Sequence, residues 1–68
     1  MQLVNSSNLV AVDYDSWQGT LTIEFHGGRV YEFYQVPAAV AQGLLAADSH
    51  GRYFHEYIKG SYSYQRIA

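Results

Sequence analysis

Residues 20–35, TLTIEFHGGRVYEFYQ, contain the clearest periodic pattern in the chain. Apolar and polar residues alternate over residues 20–26, which is typical of a strand with one buried and one solvated face. Gly27-Gly28 favours a tight turn between antiparallel strands. The range 29–35 is then the predicted returning strand, because it is rich in aromatic residues and ends before a proline. This stretch therefore predicts a β-hairpin.

The length of the hairpin loop decides which face of the second strand is buried, because a slip of one residue exchanges every side chain between the two faces. A two-residue loop at Gly27-Gly28 turns Tyr31 and Phe33 outward and Glu32 toward the core. A three-residue loop over residues 27–29 does the reverse. Since an unpaired buried carboxylate is costly, we favour the three-residue loop.

The favoured loop also predicts the pairs of residues that face each other across the hairpin. It places Phe25 opposite Tyr31 and Ile23 opposite Phe33, so that both aromatic side chains join the core. Val30, Glu32 and Tyr34 then face outward.

Four more elements surround the hairpin. Residues 8–14 are the predicted first strand, in which strict alternation puts Leu9 and Val12 on opposite faces. Pro37 suits the first turn of a helix with apolar residues at helical spacing up to Ala47. Ser49 is the predicted N-cap of a second helix ending near Gly60, and residues 62–67 are a predicted last strand.

Length and composition fit one small globular domain. The chain has 68 residues, of which 49% are hydrophobic and 15% charged, and it is too short for two domains. We therefore predict an α+β fold over residues 1–68, with its core at about 4–67: a three-stranded antiparallel meander, two helices and a short C-terminal strand.

The same composition excludes several classes of protein. There is no cysteine, so disulfides, thiolate metal sites and a cysteine nucleophile are excluded. The first ten residues lack a basic region followed by an apolar run, and no stretch is long enough to span a bilayer. We therefore expect a cytoplasmic protein without a membrane partner.

The charge is small and unevenly distributed. The net charge of −2 argues against a strong nucleic-acid binder. All four Lys/Arg residues lie in the range 29–68. Protonation of the three histidines would make the net charge positive, so binding to an anion is expected to strengthen in mildly acidic solution.

Seven tyrosines in 68 residues have two explanations. A small core needs large amphipathic side chains, which bury their rings and leave their hydroxyls at the surface. Alternatively, the tyrosines form a surface for stacking bases or for a protein partner.

The best candidate for a functional surface is one side of the second helix. Arg52, His55 and Lys59 lie at spacings of three, four and seven residues, which places them on the same side of an α-helix. The tentative nucleic-acid-binding set adds to these three Arg29, Arg66, Tyr62 and Tyr64. The alternative is that these cations are only the solvated face of an amphipathic helix.

Catalytic and metal sites are not expected. His50 and His55 are five residues apart, whereas helical ligand pairs need three or four. The consecutive Asp48, Ser49 and His50 have the residue types of a triad but cannot align as nucleophile, base and orienting group. We predict no catalytic residue, no metal and no cofactor.

One ordered combination of short motifs spans most of the chain. The motifs are Ser6-Ser7, Val12-x-Tyr14-Asp15, Leu21-x-Ile23-x-Phe25-x-x-Gly28, Tyr31-x-Phe33-x-x-Val36-Pro37, Leu44-x-x-Ala47-x-Ser49-x-Gly51-x-Tyr53-Phe54 and Ile58-Lys59. From about Val4 to Ile67 the chain thereby resembles the KTSC domain, a short module named after the C-terminus of some lysyl-tRNA synthetases. The module also occurs as a stand-alone bacterial or phage protein.

The chain departs from the family pattern at two positions. Phe33 replaces the second tyrosine of a central Tyr-x-Tyr, and His55 stands where asparagine is common. The family has no assigned activity, and its attachment to a synthetase implies RNA as a partner.

Two hypotheses follow from the sequence. The first is a non-enzymatic module that weakly binds RNA or another polyanion through the basic and aromatic residues above. The second is a protein-interaction or self-association module, such as an adaptor or a phage or mobile-element accessory protein, which uses exposed tyrosines and a sheet edge. A small-molecule pocket between helices and sheet is a third, weaker interpretation.

Overall fold

The computed structural model describes all residues from Met1 to Ala68 and confirms the α+β prediction. The strands are β1 (Gln2–Leu3), β2 (Leu9–Asp15), β3 (Thr20–Phe25), β4 (Val30–Phe33) and β5 (Tyr64–Arg66). The helices are α1 (Ala38–Ala46) and α2 (His50–Tyr53), and α2 continues directly into a π-helical segment, Phe54–Ile58, here called the π turn. Neither helix is long and apolar enough to cross a membrane.

The five strands form one antiparallel sheet in the order β1-β2-β3-β4-β5. The meander and the C-terminal strand agree with the prediction, and β5 pairs with β4. β1 was not predicted, because two residues are too few for a periodic pattern. It lies at the edge of the sheet, where Gln2 and Leu3 pair with Val12 and Ala11.

The hairpin between β3 and β4 has the predicted faces but not the predicted pairs. Ile23 lies opposite Tyr31, and Leu21 opposite Phe33, so the predicted pairing is wrong by two residues. The loop is His26-Gly27-Gly28 instead of residues 27–29. It is closed by the Phe25 N–H, which donates to the Arg29 carbonyl at 2.8 Å.

The two glycines explain this loop. Gly27 and Gly28 have φ angles of 97° and 86°, a left-handed conformation that glycine adopts at little cost. The two glycines therefore occupy the last two positions of the loop. Arg29 follows the loop and lies opposite Phe25. This difference from the prediction creates part of the site described below.

A β-bulge in β2 also corrects the sequence prediction. Leu9 pairs with Phe25 and Ala11 with Glu24, which leaves one extra residue in β2. A bulge shifts the alternation by one position. Leu9 and Val12 are therefore both buried in the same core, although strict alternation puts them on opposite faces.

The core lies between one face of the sheet and the helical segments. Its ten buried residues are Leu9, Val12, Leu21, Ile23, Phe33, Val36, Ala41, Leu44, Phe54 and Ile58. Five come from β2, β3 and β4, and four come from α1 and the π turn. Since both helical segments pack on the same face, the opposite face of the sheet is uncovered.

The uncovered face carries polar side chains, as the favoured loop predicts. Glu32 lies opposite Thr22 and Gln65. The hydroxyl of Tyr34 donates to Glu32 Oε1 at 3.0 Å. Desolvation of the hydroxyl, and then the hydrogen bond and negative charge of Glu32, raise the pKa of Tyr34 above its ordinary value.

The second helix begins as predicted, and the first begins one residue later than predicted, at Ala38. Pro37 is the N-cap of α1, and Ser49 caps α2 by accepting a hydrogen bond from the Arg52 N–H at 3.2 Å. The predicted second helix changes to π geometry at Phe54, where the Lys59 N–H donates to the Phe54 carbonyl five residues earlier, at 2.8 Å. Lys59 therefore follows the helix instead of forming its last turn.

Gln35 connects β4 to α1 in a strained conformation, since it is the one non-glycine residue with a positive φ, 56°. This conformation costs an L-residue roughly 1–2 kcal/mol, and more for a β-branched side chain. We expect Gln35→Gly to leave the free energy of unfolding unchanged or raise it by up to about 1 kcal/mol. Gln35→Val should lower it by about 1–2 kcal/mol.

Urea denaturation of both Gln35 variants measures this difference directly. Gln35→Ala is the control, because alanine removes the side chain but has the same steric restriction as glutamine at positive φ. If the glycine variant is less stable than the alanine variant, the connection is not strained.

Candidate functional site

A groove of about 510 Å³ opens between the helix-bearing face of the sheet and the π turn. Five of its ten lining residues are phenylalanine or tyrosine: Phe25, Tyr31, Phe33, Phe54 and Tyr64. Polar side chains also line it, namely Asn8, Arg29, His55 and Lys59, together with Gly60. We call this site the aromatic groove.

The rings of the groove support one another by edge contacts. Phe54 meets Phe25 and Phe33 with ring centroids 5.2 and 5.5 Å apart in T-shaped arrangements. Such aromatic pairs contribute more to stability than the burial of their apolar surface alone. Phe33 and Phe54 are almost completely buried, so they form a rigid floor.

Tyr64 is the accessible ring of the groove. Its centroid lies 5.8 Å from those of Tyr31 and Phe33, yet 60% of the residue is exposed. β5 places it there because Tyr64 pairs with Phe33 in the sheet. An exposed ring held against buried ones offers a stacking surface for a flat ligand.

Arg29 enters the groove through the register of the hairpin. Its Nη2 donates to the carbonyl of His26 at 3.3 Å, and its Cζ lies 5.7 Å from the centroid of the Phe25 ring. A guanidinium over a ring at this distance is a cation–π contact. One hydrogen bond leaves most of the five guanidinium N–H donors free for an anion.

His55 and Lys59 are placed on the same groove by the π turn. The His55 ring packs edge-on against Phe54, with centroids 5.8 Å apart. Lys59 follows the turn in extended conformation, and neither side chain forms an ion pair. π-helical turns occur often at functional sites, because the extra residue redirects the side chains that follow it.

No carboxylate lines the aromatic groove. The single ion pair of the protein lies elsewhere and joins Arg52 Nε to Glu56 Oε1 at 3.4 Å. Arg29 and Lys59 therefore present positive charges that no acidic residue of the chain compensates. The groove can attract an anion and offer an apolar surface at the same time.

The structure does not place Arg52 in the aromatic groove with His55 and Lys59, the two residues with which it was grouped on one side of the predicted helix. Arg52 lines a separate, shallow depression together with Asp48 and Glu56. The reason is the change from α to π geometry at Phe54, which alters the angle between residues before and after that point. The structure thus brings together His55, Lys59 and the distant Arg29, and leaves Arg52 outside.

Of the three predicted binding residues in the C-terminal segment, only one lines the aromatic groove. Arg66 lies opposite Tyr31 on the groove side of the sheet, but its Nε donates to the carbonyl of Ala68 at 2.8 Å and it does not line the groove. Tyr62 is partly buried and packs against the core. Tyr64 is the only predicted C-terminal residue that lines the groove.

Most residues of the family motif have a role in the fold and not in the groove. Val36 and Ile58 are buried in the core with Phe33 and Phe54, while Pro37 and Ser49 start the two helices. Gly51 is buried against Asn8. The hydroxyl of Tyr53 donates to the carbonyl of Val40 at 3.0 Å. Tyr31 is half-buried at the groove.

The histidines lie apart from one another. His26 Nε2 is 3.0 Å from the carbonyl of Ser6, and His50 Nδ1 is 2.7 Å from the carbonyl of Leu44. His55 is the one that lines the groove. No group of three or more His, Asp or Glu residues is close enough to hold a metal ion.

Sequence reasoning missed Asn8 and Phe25 as groove residues. Phe25 is the last residue of a strand and looks like an ordinary core residue. Asn8 precedes β2, and its side chain contacts Gly51 in the first turn of α2. No local pattern contains that contact.

The fold and the groove define a small α+β module with a basic and aromatic surface. The sequence pattern of the KTSC domain matches residues 5–62. The chain therefore belongs to the KTSC domain family.

A solved structure supports the fold. The crystal structure of a KTSC domain protein from Yersinia pestis superposes with a TM-score of 0.93 over 98% of this chain and 94% of that chain, at 34% sequence identity. An uncharacterized protein of Stutzerimonas stutzeri is 43% identical over 94% of this chain and 92% of its own length. Both similarities extend over nearly the whole length of each protein.

Part of a larger enzyme is also similar. A lysine–tRNA ligase of Trichormus variabilis is 46% identical over 55 residues, which are 81% of this chain but 10% of the ligase. A ligase of Nostoc sp. is 40% identical over 62 residues, or 11% of its length. The chain thus corresponds to about a tenth of these ligases.

Proposed function

We propose that this domain is a non-enzymatic module that binds single-stranded RNA weakly through the aromatic groove. An unpaired base stacks on Tyr64 and the neighbouring rings, and the adjoining phosphates lie near Arg29, Lys59 and His55. The observation that carries the proposal is the combination of an accessible aromatic surface with cations that no carboxylate neutralises.

The expected affinity of such a site for RNA follows from the small number of contacts it can make. Stacking of a base on an aromatic side chain contributes about 1–3 kcal/mol. Two or three phosphate contacts add a modest electrostatic part, and the net charge of −2 opposes long-range attraction. We therefore expect weak binding. The phosphate contacts should give little sequence preference, because phosphates are the same in every nucleotide.

The relatives support RNA as the ligand. The lysine–tRNA ligases that contain a similar segment act, as their name states, on a tRNA. RNA offers unpaired bases in loops and at its ends, which is where aromatic side chains recognise it.

An amide chemical-shift titration with an unstructured RNA octamer of mixed sequence tests the proposal. Peaks of Arg29, Tyr31, Lys59 and Tyr64 should move, while those around Arg52 should stay in place. The logarithm of affinity should fall with the logarithm of salt concentration with a slope of about −2 or shallower, because only two or three phosphates are contacted. Unchanged spectra at low salt, or changes centred on Arg52, would contradict the proposal.

Self-association is a second candidate function, and the edge of the sheet favours it. β5 pairs only with β4, and Tyr64 and Ile67 at this edge are 60% and 49% exposed. An exposed edge strand can pair with another chain. Sedimentation velocity with and without RNA distinguishes the candidates: a salt-insensitive dimer that ignores RNA supports self-association, and a monomer that sediments faster only with RNA supports the groove.

A further inference from the structure

We propose that the aromatic groove of one molecule binds Trp17 of a second copy of this chain, in a weak contact that RNA displaces. Trp17 lies in the turn between β2 and β3, residues 16–19. This inference goes beyond the proposed function, because the contact between copies needs no nucleic acid. Only its displacement by RNA rests on that function.

Trp17 is the most exposed large hydrophobic side chain of the protein. It is 97% exposed, so the chain itself covers almost none of it. Single apolar residues at a surface are common, but tryptophan is strongly enriched among the few residues that dominate binding at protein interfaces. An uncovered tryptophan is therefore an anchor for a second protein molecule that has a matching surface.

Hydrogen bonds hold the turn that carries Trp17 in one conformation. Asp15 Oδ1 accepts from the N–H groups of Trp17 and Gln18, at 2.9 and 3.3 Å. The Gly19 N–H donates to the Asp15 carbonyl at 2.8 Å, and the Gly19 carbonyl accepts from the Val36 N–H at 2.9 Å. Binding through a preorganised turn loses less conformational entropy than binding through a mobile one.

The aromatic groove can hold an indole ring. Its volume of about 510 Å³ exceeds that of a tryptophan side chain, and Tyr64 presents an exposed ring beside Tyr31 and Phe33. Aromatic rings attract one another in offset and edge-to-face arrangements. Trp17 does not line the groove of its own chain, so the contact joins two different surfaces of two copies and is heterologous.

The charges around Trp17 are opposite to those of the groove. Asp13 and Asp15 are exposed at the end of β2 that leads into the turn, and neither forms an ion pair. Residues 1–28 contain no Lys or Arg. The groove has cations and no carboxylate. This complementarity favours a second copy of the chain as the occupant of the groove.

The contact should be weak, because it consists of one anchoring side chain and a few opposite charges. We expect a Kd of about 0.1–1 mM at low salt, as for small transient interfaces. Added salt should weaken the contact by screening the charges. This salt dependence distinguishes it from pairing along the edge strand β5, which uses backbone hydrogen bonds.

Trp17 also supplies the readout for the test, because a chain with one tryptophan gives one indole N–H peak in an NMR spectrum. Raising the protein concentration from about 20 µM to about 1 mM should move this peak and the amide peak of Tyr64. Tyr64→Ala should weaken the association at least about tenfold. Tyr57→Ala is the control, since Tyr57 is an exposed tyrosine outside the groove. An indole peak that does not respond to concentration, or equal losses in the two variants, would overturn the inference.

A mixing experiment identifies the two surfaces. Trp17→Ala keeps the groove, and Tyr64→Ala keeps the tryptophan, so neither variant should associate with itself. The indole peak of isotopically labelled Tyr64→Ala should move when unlabelled Trp17→Ala is added, and Lys59→Glu provides a second groove variant. Unchanged amide peaks of core residues show that each variant is folded. An indole peak that stays in place in both mixtures would show that Trp17 does not bind the groove.

Addition of the unstructured RNA octamer separates this inference from the proposed function. RNA should return the indole peak of the concentrated wild type to its position in dilute protein, because RNA and Trp17 use the same rings. If the peak depends on concentration but RNA does not affect it, the contact between copies is supported and RNA binding is contradicted. If RNA shifts the groove peaks but the indole peak never depends on concentration, the proposed function stands and this inference is overturned.

Discussion

Reversing the two uncompensated charges of the aromatic groove, in the double variant Arg29→Glu and Lys59→Glu, should weaken RNA binding by at least roughly 100-fold. Each side chain is expected to contact a phosphate, and a hydrogen bond to a charged group contributes about 1.5–3 kcal/mol. Loss of two such bonds corresponds to this change in Kd. The substituted carboxylates also repel the phosphates, so no residual binding should be measurable at physiological salt.

The double variant Arg52→Glu and Arg66→Glu is a matched control. It changes the net charge by the same amount and likewise replaces two exposed basic residues, but neither residue lines the groove. Its affinity should fall by only a few-fold, through the long-range effect of net charge. Equal losses in the two double variants would show that RNA responds to overall charge and would overturn the groove as the binding site.

Replacing Gly43 by alanine should destabilise the domain, although alanine is the better helix former. Gly43 lies in the middle of α1, where glycine costs about 1 kcal/mol relative to alanine. A β-carbon at this position would lie 2.7 Å from Tyr53 Cζ and closer still to the hydroxyl oxygen.

The clash has two costs that exceed the gain in helix propensity. Displacing a packed side chain costs about 1–3 kcal/mol, and the hydrogen bond from the Tyr53 hydroxyl to the Val40 carbonyl is lost. We expect Gly43→Ala to lower the free energy of unfolding by about 2 kcal/mol. For a domain of this size, that is roughly a 10 °C decrease in Tm.

A double-mutant cycle with Tyr53→Leu tests the cause. Leucine lacks the ring carbons and the hydroxyl nearest to Gly43, so in this background Gly43→Ala should stabilise by up to about 1 kcal/mol. Gln42→Ala is the control for propensity alone, because Gln42 is the exposed neighbour in α1. If Gly43→Ala has the same effect with either residue at position 53, contact with Tyr53 is not the reason for the glycine.

The faces of the hairpin could be predicted from the sequence, but its register could not. The cost of burying Glu32 favours a three-residue loop, since the two-residue loop turns Glu32 toward the core and Tyr31 and Phe33 outward. Two three-residue loops keep the same faces, and they differ only in whether His26 or Arg29 belongs to the loop. That choice depends on which positions of the closed turn are occupied by the two glycines with left-handed φ angles.

The candidate site was less predictable than the fold. The basic residues that line the groove were all named from the sequence, but Arg52 was grouped with them because the helix was assumed to be α-helical throughout. Phe54 and Ile58 at the two ends of the π turn are both buried in the core. The single extra residue per turn leaves no mark in the sequence pattern.

The sequence by itself determined the class of fold, the buried face of the hairpin and the family, because these depend on periodicities and turn residues that act over a few positions. Only the tertiary structure decided which cations share a surface. Arg29 and Lys59 are 30 positions apart in the sequence, and they meet because the hairpin register and the π turn direct both toward the same rings. Contacts of this kind are set by packing in three dimensions, which no local propensity encodes.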